Sequence, residues 1–319
     1  MELPATLRAA VDRALEGVPL AELQRAADTL SLRYRAETRD GRLHLSDEMF
    51  ARAYLATRLP ATFAAVRASL ESAAELVPEF APKSLLDVGA GPGTALWAVS
   101  DCWPSLSQAL MLEASQSIRK VGAELSAHSG VDKVEWRAAD ASKSFEAEKA
   151  DLVTLAYVLD ELSAAEGLAL VERLWAAASG LLVIVEPGTP AGWRRIVGVR
   201  SRLIELGAHL VAPCPHSQTC PIVEPDWCHF SRRVARSRLH RLTKRGDVPW
   251  EDEKYIFLAA SRAPVEPFAA RVLAPARGGS GKVQLKLCQA NGSVEEKLLT
   301  KRDGELFKTA RRVDWGDIL

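Results

Sequence analysis

Between Ser84 and Gly188 the chain alternates short apolar runs with amphipathic stretches: SLLDVGAG, QALMLEAS, VEWRAAD, ADLVTLAYVLDEL and GLLVIVEPG. This alternation leaves few folds open. Parallel neighbours need crossovers of a dozen residues or more, and near-continuous apolar strands are buried only when helices cover both faces of their sheet. The pattern predicts an α/β fold with a doubly wound sheet, and KYIFLAASR at 254–262 predicts one further strand. Upstream, apolar residues recur at helical spacing in LRAAVDRALEGVPLAELQRAADTL and FARAYLATRLPATFAAVRASLESAAELV, with Pro60 expected to bend or divide the second run. Past Pro264, β-like runs between Gly turns predict a small C-terminal β module. The expected organisation is a helical region 1–80, a central domain 81–263 with a cysteine-rich insertion at 211–230, and the module 264–319. At 319 residues and 48% hydrophobic, the chain buries an adequate core without covalent staples.

The run LLDVGAGPGT carries a strand into a glycine turn and then into a helix. Gly89, Gly91 and Gly93, with Ala90 between them, allow close backbone approach, and Thr94 opens a helix whose free N–H groups can hold a polar ligand. Asp87 stands where it can order the turn or reach a ligand amine. Glu113 follows Gly93 by twenty residues at the end of the next strand, where an acid accepts from ribose hydroxyls. Asp140, after the third strand, is placed to hold an adenine amino group. Such a ladder of acids serves NAD or S-adenosylmethionine, and the form D-x-G-x-G-x-G with Pro92 inside resembles motif I of class I methyltransferases. AYVLDEL, at 156–162, occupies the position of the methyltransferase catalytic motif but holds neither N-P-P-[YF] nor a cysteine nucleophile. Tyr157, Asp160 and Glu161 are candidates to line a substrate pocket, with structural roles equally open.

Three of the five cysteines fall within CPHSQTCPIVEPDWCHF, residues 214–230. Cys214, Cys220 and Cys228, with Cys288 sixty residues on, can complete a zinc site or an iron–sulfur cluster. Structural zinc usually draws on close pairs, and the chain has no C-x-x-C; wide spacing and the prolines after Cys214 and Cys220 suit a cluster. His216 and His229 keep a zinc site open.

Together, RLPATFAAVRASL, SLLDVGAGPGTALWA, VEPGTPAGWRRI, the cysteine run and GDVPWEDEKYIFLAASR resemble the methyltransferase-like family associated with the small ribosomal subunit of mitochondria, including its bacterial branch. The resemblance covers nearly the whole chain. It implies a class I methyltransferase fold, a [4Fe-4S] cluster on Cys214, Cys220, Cys228 and Cys288, and a role in small-subunit assembly and hence translation, near ribosomal RNA. Mitochondrial members often carry a degraded glycine loop. This sequence keeps it intact, which makes binding of the methyl donor more credible.

Formal charge balances, with 41 basic and 41 acidic residues, so any nucleic-acid argument is local. SRRVARSRLHRLTKR, at 231–245, holds Arg232, Arg233, Arg236, Arg238, Arg241, Lys244 and Arg245 with no acid. Read as a helix, it spreads charge around its circumference and suits an RNA backbone; Arg194, Arg195, Arg200 and Arg202 add to the region. Its alternative is a basic helix paired with acids elsewhere. Trp227 is expected to pack over the cysteine loop. The N-terminus lacks a secretory or transit pattern and no apolar run is long enough to span a bilayer, which predicts a bacterial cytoplasmic protein with neither membrane nor DNA partners. Three functions follow: a cluster-containing factor that engages ribosomal RNA and methylates it, a non-catalytic assembly factor with a structural or sensing cluster, and a zinc-stabilised methyltransferase for another substrate.

Overall fold

The computed structural model describes residues 1–36 and 47–319. Four helices come first: α1 (Ala5–Ala14), α2 (Leu20–Arg35), α3 (Glu48–Thr57) and α4 (Leu59–Ala74). Asp47 caps α3 by accepting from the Phe50 N–H at 2.9 Å. Pro60 divides the run as its position suggests, because in the first turn of α4 its missing N–H breaks no helical hydrogen bond.

The central unit runs β1 (Ser84–Val88), α5 (Thr94–Cys102), β2 (Gln108–Leu112), α6 (Gln116–Ser126), β3 (Lys133–Arg137), β4 (Ala150–Ala156), α7 (Ala164–Ala177), β5 (Ala178–Pro187), α8 (Pro190–Glu205), β6 (His209–Ala212), β7 (Phe230–Ala235), α9 (Arg238–Lys244) and β8 (Trp250–Ser261). The sheet order is β3-β2-β1-β4-β5-β8-β6, with β7 also pairing β8. The first five strands are parallel, and β8 lies antiparallel between β5 and β6. Leu85, Leu86, Val88, Leu152, Val153, Leu155 and Leu181–Val185 are buried, as strands covered on both faces require. β2 and β4 flank β1 on opposite sides, so the sheet's winding reverses there and opens a crevice beyond the strand C-termini.

The expected basic helix over 231–245 is not what forms. Phe230–Ala235 is strand β7, and only Arg238–Lys244 is helical. Phe230 and Val234 alternate inward with exposed Arg233, and the strand's basic residues meet the acidic half of β8, with Arg232 opposite Glu253 and Arg233 opposite Asp252. Opposite charges on facing strands favour this pairing. The basic residues at 232, 233 and 236 concealed a period-2 pattern.

Beyond Pro264, β9 (Ala270–Val272), β10 (Arg277–Gly279), β11 (Lys282–Gln289) and β12 (Val294–Thr300) form a second, antiparallel sheet, with helix α10 (Gly304–Ala310) burying Phe307 and Ala310 against it.

Candidate cofactor cleft and cysteine cavity

A cleft of ≈ 1070 Å³ opens at the C-terminal edge of the parallel strands. Of the sequence-predicted residues, Gly89, Gly91, Glu113, Asp140, Tyr157, Asp160 and Glu161 line it; Asp87, Ala90, Gly93 and Thr94 lie behind that wall. Gly91 sits at φ 53°, and a Cβ built on it would meet nothing within 4 Å, so the backbone there faces open space. Gly93 caps α5 at φ 81° with the Trp136 ring 3.3 Å from where its Cβ would be. The turn is held by the Gly89 and Ala90 N–H groups, which donate to Leu112 O at 2.9 and 3.0 Å.

Glu113 fixes the glycine loop to the start of α6. Its Oε2 accepts from the Gly91 N–H at 2.9 Å and its Oε1 from the Ser115 N–H at 2.7 Å. Asp87 is 2% exposed; its Oδ1 accepts from Thr154 Oγ1 at 2.7 Å while Oδ2 has no protein partner. Burial pushes this carboxyl up to about 7. A buried acceptor left without a donor fits a cationic amine. Asp140 instead holds a turn, accepting from Ser142 N at 2.9 Å and Ser142 Oγ at 2.6 Å, and the Ser142 hydroxyl above all keeps it below the usual range.

The opposite wall comes from elements whose role the sequence did not announce. Tyr34, Tyr54 and Arg58, from α2 and the α3–α4 junction, line the cleft with Lys244 and Glu253. Tyr157 adopts a left-handed backbone (φ 59°), unusual for a ring side chain, and its hydroxyl donates to Glu253 Oε1 at 3.1 Å. Arg58 Nη2 reaches the same oxygen at 3.2 Å. The visible signal was Arg58 itself, a lone cation between apolar helices. Burial pushes the Glu161 carboxyl up to about 8, with the Asp160 and Glu113 charges adding to it, so this side chain exchanges a proton near neutrality. The turn that carries Asp160 and Glu161 is anchored by Glu186, which accepts from Leu159 N at 3.1 Å and from Arg195 Nε at 2.8 Å.

Cys214, Cys220 and Cys228, from the loop between β6 and β7, and Cys288, from β11, line a second cavity of ≈ 30 Å³ walled by Trp193, Ile222, Phe257 and Leu273. Burial raises the thiols of Cys214 and Cys228, and that of Cys288 to about 12. Among the described residues, no three His, Cys, Asp or Glu side chains stand together as ligands of one metal ion. The donor set, four thiols converging on one apolar cavity, fits a larger polynuclear group. His216 lines the cavity, its Nε2 3.5 Å from Cys288 Sγ, whereas His229 is absent from the lining and stacks on Trp227 at 5.1 Å. Trp227 packs, with Cys220 and Cys228, against the cluster of Trp193, Ile222, Leu273 and Cys288, and donates to Gly188 O at 3.0 Å.

The basic segment is largely paired. Arg232 meets Glu71, Arg233 Asp252, Arg236 Glu251 and Arg245 Asp28, while Lys244 turns to the cleft. Arg238 is exposed and Arg241 half-buried. In α8, Arg194 pairs with Glu224, Arg195 with Glu186 and Arg202 with Glu172. The acids-elsewhere alternative therefore describes most of this surface.

A parallel sheet with one antiparallel strand inserted before the last, and a glycine loop followed by two acids at the sheet's crevice, define a class I methyltransferase fold. The family model for the mitochondrial small ribosomal subunit protein Rsm22 matches residues 48–319, and the chain belongs to that family. It is 28% identical over 290 residues to the human mitochondrial ribosome assembly protein METTL17, covering 83% of this chain and 61% of that protein. It is 23% identical to a mitochondrial Rsm22-cox11 tandem protein of Schizosaccharomyces pombe, covering 83% and 42%. The chain thus spans about three fifths and two fifths of these relatives. Among solved structures, an O-methyltransferase family protein from Burkholderia thailandensis aligns with a TM-score of 0.46 at 16% identity, covering 78% of this chain and 72% of that one. Magnesium protoporphyrin IX methyltransferase from Synechocystis, solved with S-adenosylmethionine, aligns with a TM-score of 0.42 at 14% identity, covering 77% and 100%. The fold class rests on strand order, not on these two likenesses. The expected bacterial cytoplasmic setting is overturned, because the family and these protein relatives are mitochondrial by name.

Proposed function

We propose that this chain binds S-adenosylmethionine in the cleft and works in assembly of the small ribosomal subunit, engaging ribosomal RNA, with methyl transfer to RNA as the chemistry the cleft is shaped for. The observation that carries the reading is the intact cofactor wall: Gly91 open to the cleft, Glu113 bridging Gly91 and Ser115, and the orphaned Oδ2 of Asp87 behind them. Glu113 would take the ribose hydroxyls, Asp140 the adenine edge and Asp87 the methionine amine. The donor supplies an electrophilic methyl group; the chain's part is to hold the acceptor in line with it and exclude water. Tyr157, Asp160 and Glu161 face the acceptor side, and Glu161 is the group able to take a proton there. RNA contact falls to exposed Arg238 and half-buried Arg241, with Arg232, Arg233, Arg236 and Arg245 contributing where RNA displaces their surface ion pairs.

The cysteine cavity, in this reading, holds an iron–sulfur cluster on Cys214, Cys220, Cys228 and Cys288. The cluster would tie the segment 264–319, through Cys288, to the central unit 81–263, with 1–80 closing the acceptor side. The resemblance of the sequence to its family and the four cysteine thiols lining one cavity support this.

The test is titration with S-adenosylmethionine, then incubation of the protein with small-subunit ribosomal RNA and methyl-labelled donor. Binding with label entering RNA supports an RNA methyltransferase. Binding without transfer supports the non-catalytic assembly factor. No donor binding overturns the reading of the cleft.

A further inference from the structure

Two guanidinium groups are buried at the cysteine cavity, Arg200 in its lining and Arg271 behind the Pro213 that lines it, and among the described residues neither is ion-paired to a carboxylate. Arg200, on α8, is 3% exposed; its Nη2 donates to His216 O at 2.7 Å and lies 3.5 Å from His216 Nδ1, and its Nε has no partner. Arg271, on β9, is 2% exposed; Nε donates to Pro213 O at 3.0 Å, Nη1 to Gly316 O at 2.6 Å, and Nη2 has no partner. Its cation also lies 4.7 Å from the centre of the Phe268 ring. Among the described residues, their hydrogen-bonding partners are carbonyls, an imidazole and, for Arg200, the Cys214 thiol; none is a carboxylate.

Elsewhere among the described residues, largely buried cations such as Arg195 and Arg58 meet carboxylates, those of Glu186 and Glu253. An unpaired buried cation is costly, and carbonyl hydrogen bonds do not cancel its charge. Protonated thiols cannot do so either. The missing negative charge must therefore sit where both arginines converge, at the four cysteines. Arg200 lines the cavity with the four cysteines and, across His216, faces Cys288, while Arg271 is bonded to Pro213, next to Cys214, and stands opposite Cys288 in the β9–β11 pairing. A resting [4Fe-4S] centre with four thiolates, like a four-thiolate zinc centre, carries a net charge of about −2. Two guanidinium groups balance it.

We propose that Arg200 and Arg271 are the built-in counter-charges of a dianionic tetrathiolate centre held by Cys214, Cys220, Cys228 and Cys288. Both are positioning residues, outside the ligand set. The inference rests on the four cysteines holding such a centre, and its test separates the two ideas.

Wild type purified without oxygen is first analysed for iron, sulfide and zinc. About four irons per chain fits the cluster; one zinc drops the cluster but keeps the dianion; no metal, even after reconstitution with iron and sulfide or with zinc, overturns both. Arg200→Gln, Arg271→Gln and the charge-retaining Arg200→Lys and Arg271→Lys are then melted in loaded form and after removal of metal by a chelator. The expected result is opposite in the two states. With the centre present, Gln lowers the melting temperature and Lys restores most of it; with the centre removed, Gln leaves the temperature unchanged or raises it, because an unpaired buried cation has gone. In a cluster-loaded protein the midpoint reduction potential also moves to more negative values with Gln and not with Lys. Equal destabilisation of loaded and stripped protein would mean that the arginines only bind carbonyls, and would overturn the proposal. If Arg271→Gln does not fold, the Arg200 pair decides by the same criteria.

Discussion

Replacing Glu113 by Ala tests how the cofactor wall is built. The carboxylate accepts two backbone N–H groups, from Gly91 at 2.9 Å and Ser115 at 2.7 Å, and burial raises its pKa despite both bonds. Each hydrogen bond to a charged group contributes about 1.5–3 kcal/mol, and removal strands both donors. Partial hydration through the cleft discounts that sum. The expected loss is about 3 kcal/mol, and at about 2–4 °C per kcal/mol this lowers the melting temperature by about 6–12 °C. Since the same oxygens are assigned to the ribose hydroxyls, S-adenosylmethionine affinity should fall about 100-fold, equivalent to about 2.7 kcal/mol. Glu113→Gln keeps one carbonyl acceptor and should fall between the two on both scales. Thermal melts and isothermal titration read the effects separately. A variant that melts with wild type refutes the bridging argument, and one that melts lower but binds the donor equally refutes the ribose assignment alone.

Three further outcomes follow from the same geometry. The Asp87 carboxyl, raised to about 7, contributes stability that is present in full below its ordinary 3.8 and is lost as pH rises through about 7. Asp87→Asn should therefore be more stable than wild type at pH 8, with the gap closing toward pH 4. Because the donor amine prefers the ionised carboxylate, wild-type donor affinity should rise by up to about tenfold per pH unit below 7 and that rise should vanish in Asp87→Asn; a parallel pH profile in titration counts against the contact. Gly91→Ala adds a Cβ that meets no protein atom within 4 Å and should cost only the backbone strain of about 1–2 kcal/mol, yet it narrows the approach and should weaken donor binding; unchanged affinity would place the ligand elsewhere. Arg238→Ala should reduce the salt dependence of RNA binding by about one phosphate contact, whereas Arg233→Ala, which must first give up Asp252, should change it less; equal slopes for all proteins would remove this face from the RNA interface.

Much of the fold was legible because it depends on local pattern. Apolar runs at 84–88, 108–112 and 150–156 became β1, β2 and β4, and the glycine turn with Glu113 and Asp140 stood at the strand ends where such residues reach a ligand. The strand at 230–235 was not legible, since its two arginines and Arg236 just after it masked the alternation of Phe230 and Val234 until acidic β8 supplied the facing charges. The acceptor wall was largely hidden: Tyr34 and Tyr54 lie in amphipathic helices, Arg58 stands at the α3–α4 junction, and nothing local aims them at a crevice formed by strands far along the chain.

By itself the sequence determined the repeating strands and helices, the turn at Gly89–Gly93 and the identity of the four thiols, because backbone sterics and apolar periodicity act over a few residues. Tertiary structure decided which charges are neutralised and which are left over. Charge pairing depends on distance in space, and only folding could match Arg233 to Asp252 while burying Arg200 and Arg271 at the cysteine cavity without a carboxylate.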